Sequence, residues 1–242
     1  MNKLTVAKRI TILKMLVEGS SMRSIERTVG VSINTVKKLL IEAGQVALQY
    51  HDEHVVDVPA AVIQCDEIWS FCHAKRNNVD TSKAAPEYAG DVWTWTGIDE
   101  DSRLLITYEV GGRSLGTALS FMRDLRKRVT GDPQINTDGL PAYPEAIRCV
   151  FGDGLHQGGS DTAYVERHNL SMRMGMRRYT RRTNGFSKRL DRHVFHLAFH
   201  SFTYNFIRVH QTLQTTPAVA AGIAKRPMDM PEVVEMIDQL SN

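Results

Sequence analysis

Three acidic residues stand where packing alone gives them little reason to be. Asp66 lies inside the apolar run AVIQCDEIWSF (61–71), where an unpaired charge costs several kcal/mol. Asp138 ends the run PQINTDG (133–139), at the point where Gly139 turns the chain. Glu166 heads a stretch that then collects arginine after arginine, with no further acid before Asp191. Singly, each has an ordinary reading: a strand-end residue, a turn residue, and a first-turn acid favoured by the helix dipole. Together they suggest more. If the first and fourth strands are neighbours, Asp66 and Asp138 lie side by side, and a helix can bring Glu166 to them. Three converging acids repel unless cations are present. An all-oxygen ligand set selects Mg²⁺ or Mn²⁺, and two such ions can clamp the attacking and leaving oxygens of a phosphodiester. Glu67 and Asp99 are set aside, because the two-residue period of a strand turns Glu67 to the opposite face.

The charge distribution points the same way. Net charge is only +3 over 242 residues, yet residues 167–192 hold nine Lys and Arg against Asp191 alone. That segment carries +8 and the remainder −5. A basic stripe on an acidic body is the footprint of a polyanion partner; the plainer alternative is a solvated helix face. On a continuous helix, Glu166, Asn169, Leu170, Arg173 and Arg177 would share one stripe, with Arg181 one turn further. Glu166 would hold metal at the scissile phosphate, and Asn169, Arg173, Arg177 and Arg181 would follow the DNA away from it.

These residues need elements to position them. Residues 4–18 show a helical period through Val6, Ile10, Leu13 and Val17, stopped by Gly19. Within 21–40, Ser21 can cap a helix ending at Val29, Gly30 permits a tight turn, and Ser32 can cap a second helix through Leu40. This is a helix-turn-helix pattern. It offers Ser32, Asn34 and Thr35 to the major groove and Lys37 and Lys38 to phosphates, with a three-helix bundle without a DNA role as the alternative. Residues 45–60 read as a linker. Strands follow at 61–71, 92–99 and 104–110, then a helix (114–129), a strand (133–139), a helix (143–151), a short fifth strand (154–157) and the helix of Glu166. This order predicts an α/β fold, a mixed sheet flanked by helices in the ribonuclease H-like manner, preceded by a small all-α domain. The boundaries read 1–44 for the helix-turn-helix, 61–224 for the catalytic domain and 225–242 for a C-terminal tail helix. Cys65, Cys72 and Cys149 form no CxxC pair, so a disulfide framework or cysteine zinc site is not expected. No apolar run is long enough for a membrane span, and the expected location is cytoplasmic. His193, His196 and His200 share a helix face, but their aromatic neighbours favour core packing over zinc.

The stretches CDEIWSF, TDGLPAY and YVERHNLSMRM…FSK resemble the catalytic motifs of the insertion sequence 1 family transposases, a branch of the DDE recombinases. YNFIRVHQTLQTTPAVA (204–220) is similar to the closing block of many transposases and integrases. The resemblance implies a ribonuclease H-like catalytic core, catalytic acids at Asp66, Asp138 and Glu166, and a basic residue at Arg173. The activity expected is metal-dependent cleavage of a phosphodiester and joining of the freed 3′-hydroxyl to target DNA, with two Mg²⁺ or Mn²⁺ ions. Expected partners are double-stranded DNA (element terminal repeats and target) and further copies of the chain in the active complex. A nuclease or resolvase without joining, and a regulator with a non-catalytic oligomerisation domain, are the alternatives.

Overall fold

A computed structural model describes residues 4–159, 161–182 and 184–240. Its centre is a five-stranded sheet. Strands β1 (Val62–Cys72), β2 (Gly90–Asp99) and β3 (Leu105–Gly111) form an antiparallel meander, rich in the β-branched and aromatic residues that suit a pleated, buried surface. β4 (Gln134–Thr137) and β5 (His156–Gly158) add in parallel on the other side of β1, giving the order β3-β2-β1-β4-β5. Helices α4 (Leu115–Arg128) and α5 (Ala142–Phe151) supply Phe121, Met122, Leu125, Tyr143 and Ile147 to the main core, all fully buried. Helices α6 (Ala163–Gly175) and α7 (Leu190–Phe202) face β1 through a separate apolar group of Ile68, Met172, Met176, Tyr179 and Leu197. The result is an α/β arrangement with a mixed sheet flanked by helices, compatible with a ribonuclease H-like order.

Three helices precede the sheet: α1 (Val6–Val17), α2 (Met22–Val29) and α3 (Ile33–His54). Ser21 and Ser32 cap α2 and α3 through bonds from the Ser24 and Thr35 amides, and Gly30 between them is left-handed at φ +69°. Glu26 adds a second cap, accepting from the Ile33 amide at 2.9 Å. After α7 the chain makes a π-helical turn (Thr203–Ile207), in which the buried Asn205 side chain bonds both the amide and the carbonyl of Leu105. A short α8 (Pro217–Ala220) and α9 (Met230–Leu240) complete the chain. No helix among the described residues is long and apolar enough to cross a membrane.

Three expectations need correction. The buried face of α1 is Arg9, Ile12, Leu13 and Leu16, while Val6 is 51% exposed. The face is rotated because α9 packs on α1 and Asp238 binds Arg9 at 2.6 Å. Second, α3 does not stop near Leu40; it runs to His54, so residues 45–54 are helix rather than linker. Ala43, Gly44, Val46, Ala47 and His51 are buried along it, and a Cβ at Gly44 would overlap Phe195 of α7. The N-terminal helices consequently share one hydrophobic core with the sheet. Third, α6 ends at Gly175 and gives way to a 3₁₀ turn (Arg177–Tyr179), so the long basic helix is broken. Gly175 sits where a Cβ would lie 3.0 Å from the His200 ring and 3.3 Å from the Val17 carbonyl, which brings α6 close to both α7 and α1.

Two outcomes follow from this packing. Gly44→Ala should lower stability by about 1–3 kcal/mol, the usual cost of overpacking, measured by urea unfolding; an unchanged midpoint would show that the α3–α7 crossing yields easily. The second concerns buried histidines. Burial is the first cause that brings His51 down to about 4, His193 to about 3 and His200 to about 4, from an ordinary 6.5. Each is neutral when folded and binds a proton more readily when unfolded. Their stabilisation is therefore complete above pH 6.5 and lost as pH falls toward 4, on the order of 2 kcal/mol each by about pH 5. Asp66 and Glu67, shifted upward, act in the opposite sense and reduce the net fall. Thermal melts at neutral pH and near pH 5 should give a clearly lower Tm in acid; a flat profile contradicts this.

Candidate active site

Register brings two of the acids together. Cys65 of β1 pairs with Thr137 of β4, so Asp66 and Asp138 are the next residues along two adjacent parallel strands. Asp138 lies just past the end of β4, where its carboxylate accepts from the Leu140 amide at 3.1 Å and Gly139 turns with φ +92°. Carboxylate oxygens of Asp66, Glu67 and Asp138 all lie within 4.8 Å of one another. Glu67 was expected to point away. Its side chain does reach the other face, where Arg113 binds it at 2.6 Å and the Tyr143 hydroxyl donates to it at 3.2 Å. Because Asp138 lies beyond the strand end, its carboxylate comes near both faces, and Glu67 joins the group after all.

Helix α6 is seated on β1 by side chains of alternating residues. The Gln64 side-chain carbonyl accepts from the amides of Tyr164 (2.9 Å) and Val165 (3.3 Å). The first-turn amides of α6 need an acceptor, since Thr162 provides no side-chain cap. Two residues along the strand, Asp66 accepts from the Asn169 side-chain amide at 2.7 Å. Two further, Ile68 packs with Met172 and Met176. Glu166 thereby sits on the first turn, exposed, accepting from the Thr162 hydroxyl at 2.7 Å. It lies outside the group of three but acts on it. Burial comes first in raising Asp66 above the usual carboxylate range, and the charges of Asp138 and Glu166 add to it, against bonds from the Glu67 backbone and Asn169. Burial likewise raises Glu67, with Asp138 next, outweighing Arg113.

The residues expected to hold DNA are placed differently. Asn169 is only 3% exposed and is bound to Asp66 and Thr96, so it positions a carboxylate and is not free for DNA. Arg173 is half-buried on α6. Arg177 lies in the 3₁₀ turn and donates to the Gly19 carbonyl at 3.3 Å, and Arg181 is exposed in the loop beyond, so the three do not share a stripe. At the start of α3, Ser32 and Thr35 hydroxyls are within 3.1 Å of each other, Lys37 donates to Asn34, and Lys38 pairs with Glu42. His193, His196 and His200 are buried: His193 bonds Ser187 and His196 bonds Arg178. Among the described residues, the carboxylates alone gather three metal-ligating side chains. Gln64 was missed in the sequence; its signal was a polar residue two positions before Asp66 in an apolar strand.

No family model and no curated protein sequence matches the chain. Solved structures similar to it include the Mos1 strand transfer complex, at 12% identity and a TM-score of 0.31. The Mos1 mariner paired end complex with Mn is similar at 13% and 0.30. Both alignments cover 84% of this chain and 76% of the other. Likeness at this level leaves the chemistry to the chain's own residues.

The crowding of Asp66 makes it costly to keep charged, so Asp66→Asn should stabilise the protein in the absence of divalent ions. The expected gain in Tm is roughly 2–4 °C, corresponding to about 1 kcal/mol. Added Mn²⁺ should raise the Tm of the parent chain and leave that of Asp66→Asn almost unmoved. Equal shifts for the two would remove Asp66 from any metal site.

Proposed function

We propose that the chain is a DNA transposase of the insertion sequence 1 type. In this reading Asp66, Asp138 and Glu166 hold Mg²⁺ or Mn²⁺, two ions in the full complement, at the reacting phosphate. The observation that supports it is the gathering of the Asp66, Glu67 and Asp138 carboxylates at one end of the sheet, with Glu166, outside that group, on the first turn of the helix seated over Asp66 and near enough for its charge to raise Asp66. The proposed donors suit the ions: all are hard carboxylate oxygens, with no sulfur or imidazole among them, and Asp66 is already raised, by burial first and by its acidic neighbours after it. When bound, such ions supply Lewis-acid charge at the phosphate and favour a deprotonated nucleophile.

The chain's own residues have separate tasks. Asn169 fixes one oxygen of Asp66 and so sets the orientation of the carboxylate. Arg113 and Tyr143 engage both oxygens of Glu67, so Glu67 is a charge-compensated neighbour rather than an equal ligand. Thr162 orients Glu166. Phosphodiester cleavage, then attack by the freed 3′-hydroxyl on target DNA, needs no covalent enzyme intermediate; positioning and charge stabilisation are what this site supplies. In this reading α2 and α3 read element ends as a helix-turn-helix through Asn34 and its neighbours. Target DNA and further copies of the chain complete the active complex, in the cytoplasm.

The test is strand transfer on an end-containing oligonucleotide with Mn²⁺ or Mg²⁺. Glu166→Gln should cost at least ~10²-fold in cleavage and joining with an unchanged Tm, because Glu166 is exposed. Glu67→Gln should leave Tm unchanged or higher, since burial and Asp138 outweigh the half-exposed Arg113 there, while retaining more activity per folded molecule. Near-normal cleavage by Glu166→Gln would sink the assignment. Cleavage without joining in the parent favours the nuclease reading, and inactivity with intact DNA binding favours the regulator.

A further inference from the structure

Away from the acids, a cleft of about 870 Å³ opens between the α1–α2 turn and residues 175–192. Arg23, Lys37, Arg177, Arg182, Lys188 and Arg192 line it, and Arg178 forms part of its wall. Among the described lining residues there is no carboxylate. A second hollow of about 470 Å³ shares Lys37 and Arg192 and continues along α3 past Asn34 and Lys38. Its one acid, Glu42, is paired with Lys38.

Arg178 is the unusual member. It is only 8% exposed, and its partners are neutral: His196 Nδ1 at 2.7 Å, the Ser187 hydroxyl at 3.0 Å and the Arg192 carbonyl at 2.8 Å. Burial pulls it down to about 10, against smaller upward pulls from Tyr179, Cys72 and Asp191, with Arg192 adding a minor downward one. Asp191 is itself bound to Arg189. A buried guanidinium without a carboxylate is costly, and here six further cations surround it. Arg192 adds an Nε that is buried with no hydrogen-bond partner. Such a wall is stable in company with anions.

We propose that this cleft holds the phosphate backbone of duplex DNA, running between the start of α3 and the 175–192 segment, with Arg178 as its buried positive charge. The site is too extended for one small anion: the cations span both walls and continue into the second hollow. A polymer with regularly spaced single charges matches that layout, and phosphate contacts set register without reading sequence. The proposal rests on the reading of the chain as a DNA-processing protein, but its buried charge, Arg178, and the cations Arg182, Lys188 and Arg192 are residues that reading does not use.

Binding of a short random-sequence duplex is followed by fluorescence anisotropy across a salt titration, in full-length Asp66→Asn protein so that cleavage does not intervene. Each phosphate neutralised adds about −0.9 to the slope of log affinity against log salt. Arg182→Ala with Lys188→Ala and Arg192→Ala should flatten the slope by roughly 2–3 units and weaken cognate and scrambled duplexes alike. The matching Arg123, Arg126 and Lys127 to Ala change on α4 should leave the slope nearly unchanged. Arg178→Met should weaken duplex binding while leaving the Tm of the free chain unchanged or higher; if it does not fold, the triple variant carries the test. Equal slopes for parent and triple variant overturn the proposal, as would inorganic phosphate raising Tm as much as duplex does, which marks a small-anion site. A protein that binds through the cleft yet never cleaves sinks the transposase reading and leaves the cleft standing. A protein that cleaves, with slopes indifferent to the cleft, does the reverse.

Discussion

The site depends on how α6 lies along β1. Gln64, Asp66 and Ile68 project from one face of the strand about 6.6 Å apart. They meet, in turn, the amides of Tyr164 and Val165, the side chain of Asn169, and Met172. A helix advances about 1.5 Å per residue, so four to five helical residues match two strand residues. Strand and helix run in step for three contacts: a cap, a polar bond and an apolar contact. Gln64 answers the need of the helix N-terminus for an acceptor, and Asn169 holds a carboxylate that would otherwise be buried among repelling neighbours. Shift α6 by one turn and the first-turn amides lose the Gln64 acceptor while Asp66 loses the Asn169 amide.

Charge is sorted around this seat. The acids collect where β1 and β4 end, and burial together with mutual repulsion raises Asp66 and Glu67. Among the described residues, Arg113 is the cation bonded to that group, and it is committed to Glu67, stacked 4.8 Å from the Trp93 ring. The cations collect past the end of α6, where Arg178 is buried without an acid of its own. Both places hold unbalanced charge in the free chain, of opposite sign. In the reading proposed above, a phosphate backbone would satisfy the second and divalent ions the first.

The N-terminal helices are part of the same body. α3 crosses α7 at Gly44, its end reaches β3 through His51 and the Ile106 carbonyl, and Arg128 of α4 bonds the His51 and Val55 carbonyls and Asp52. α9 closes over α1 and α3 with Val233, Val234 and Ile237. The start of α3 is therefore held against the basic segment rather than tethered to it, so one wall of the cleft comes from each.

Much of this was legible in the residues. Strand and helix order, the capping serines, the adjacency of Asp66 with Asp138 and the first-turn place of Glu166 follow from local periodicity and from an acid set in an apolar run, both properties of neighbouring residues. The misreadings share one cause: each depended on a contact between residues far apart in the chain. Residues 45–54 look polar enough for a linker, yet α7 buries one side of them. The arginines after Glu166 keep a helical rhythm, yet α1 and α7 crowd Gly175 and end the helix there. Strand alternation does turn Glu67 away from Asp66, but it cannot reveal that Asp138 sits past a strand end and comes near both faces. Asn169 and Arg178 are polar residues of the kind usually left in water. Only tertiary packing decided that they are buried, one to hold a carboxylate and the other as a charge without an acid.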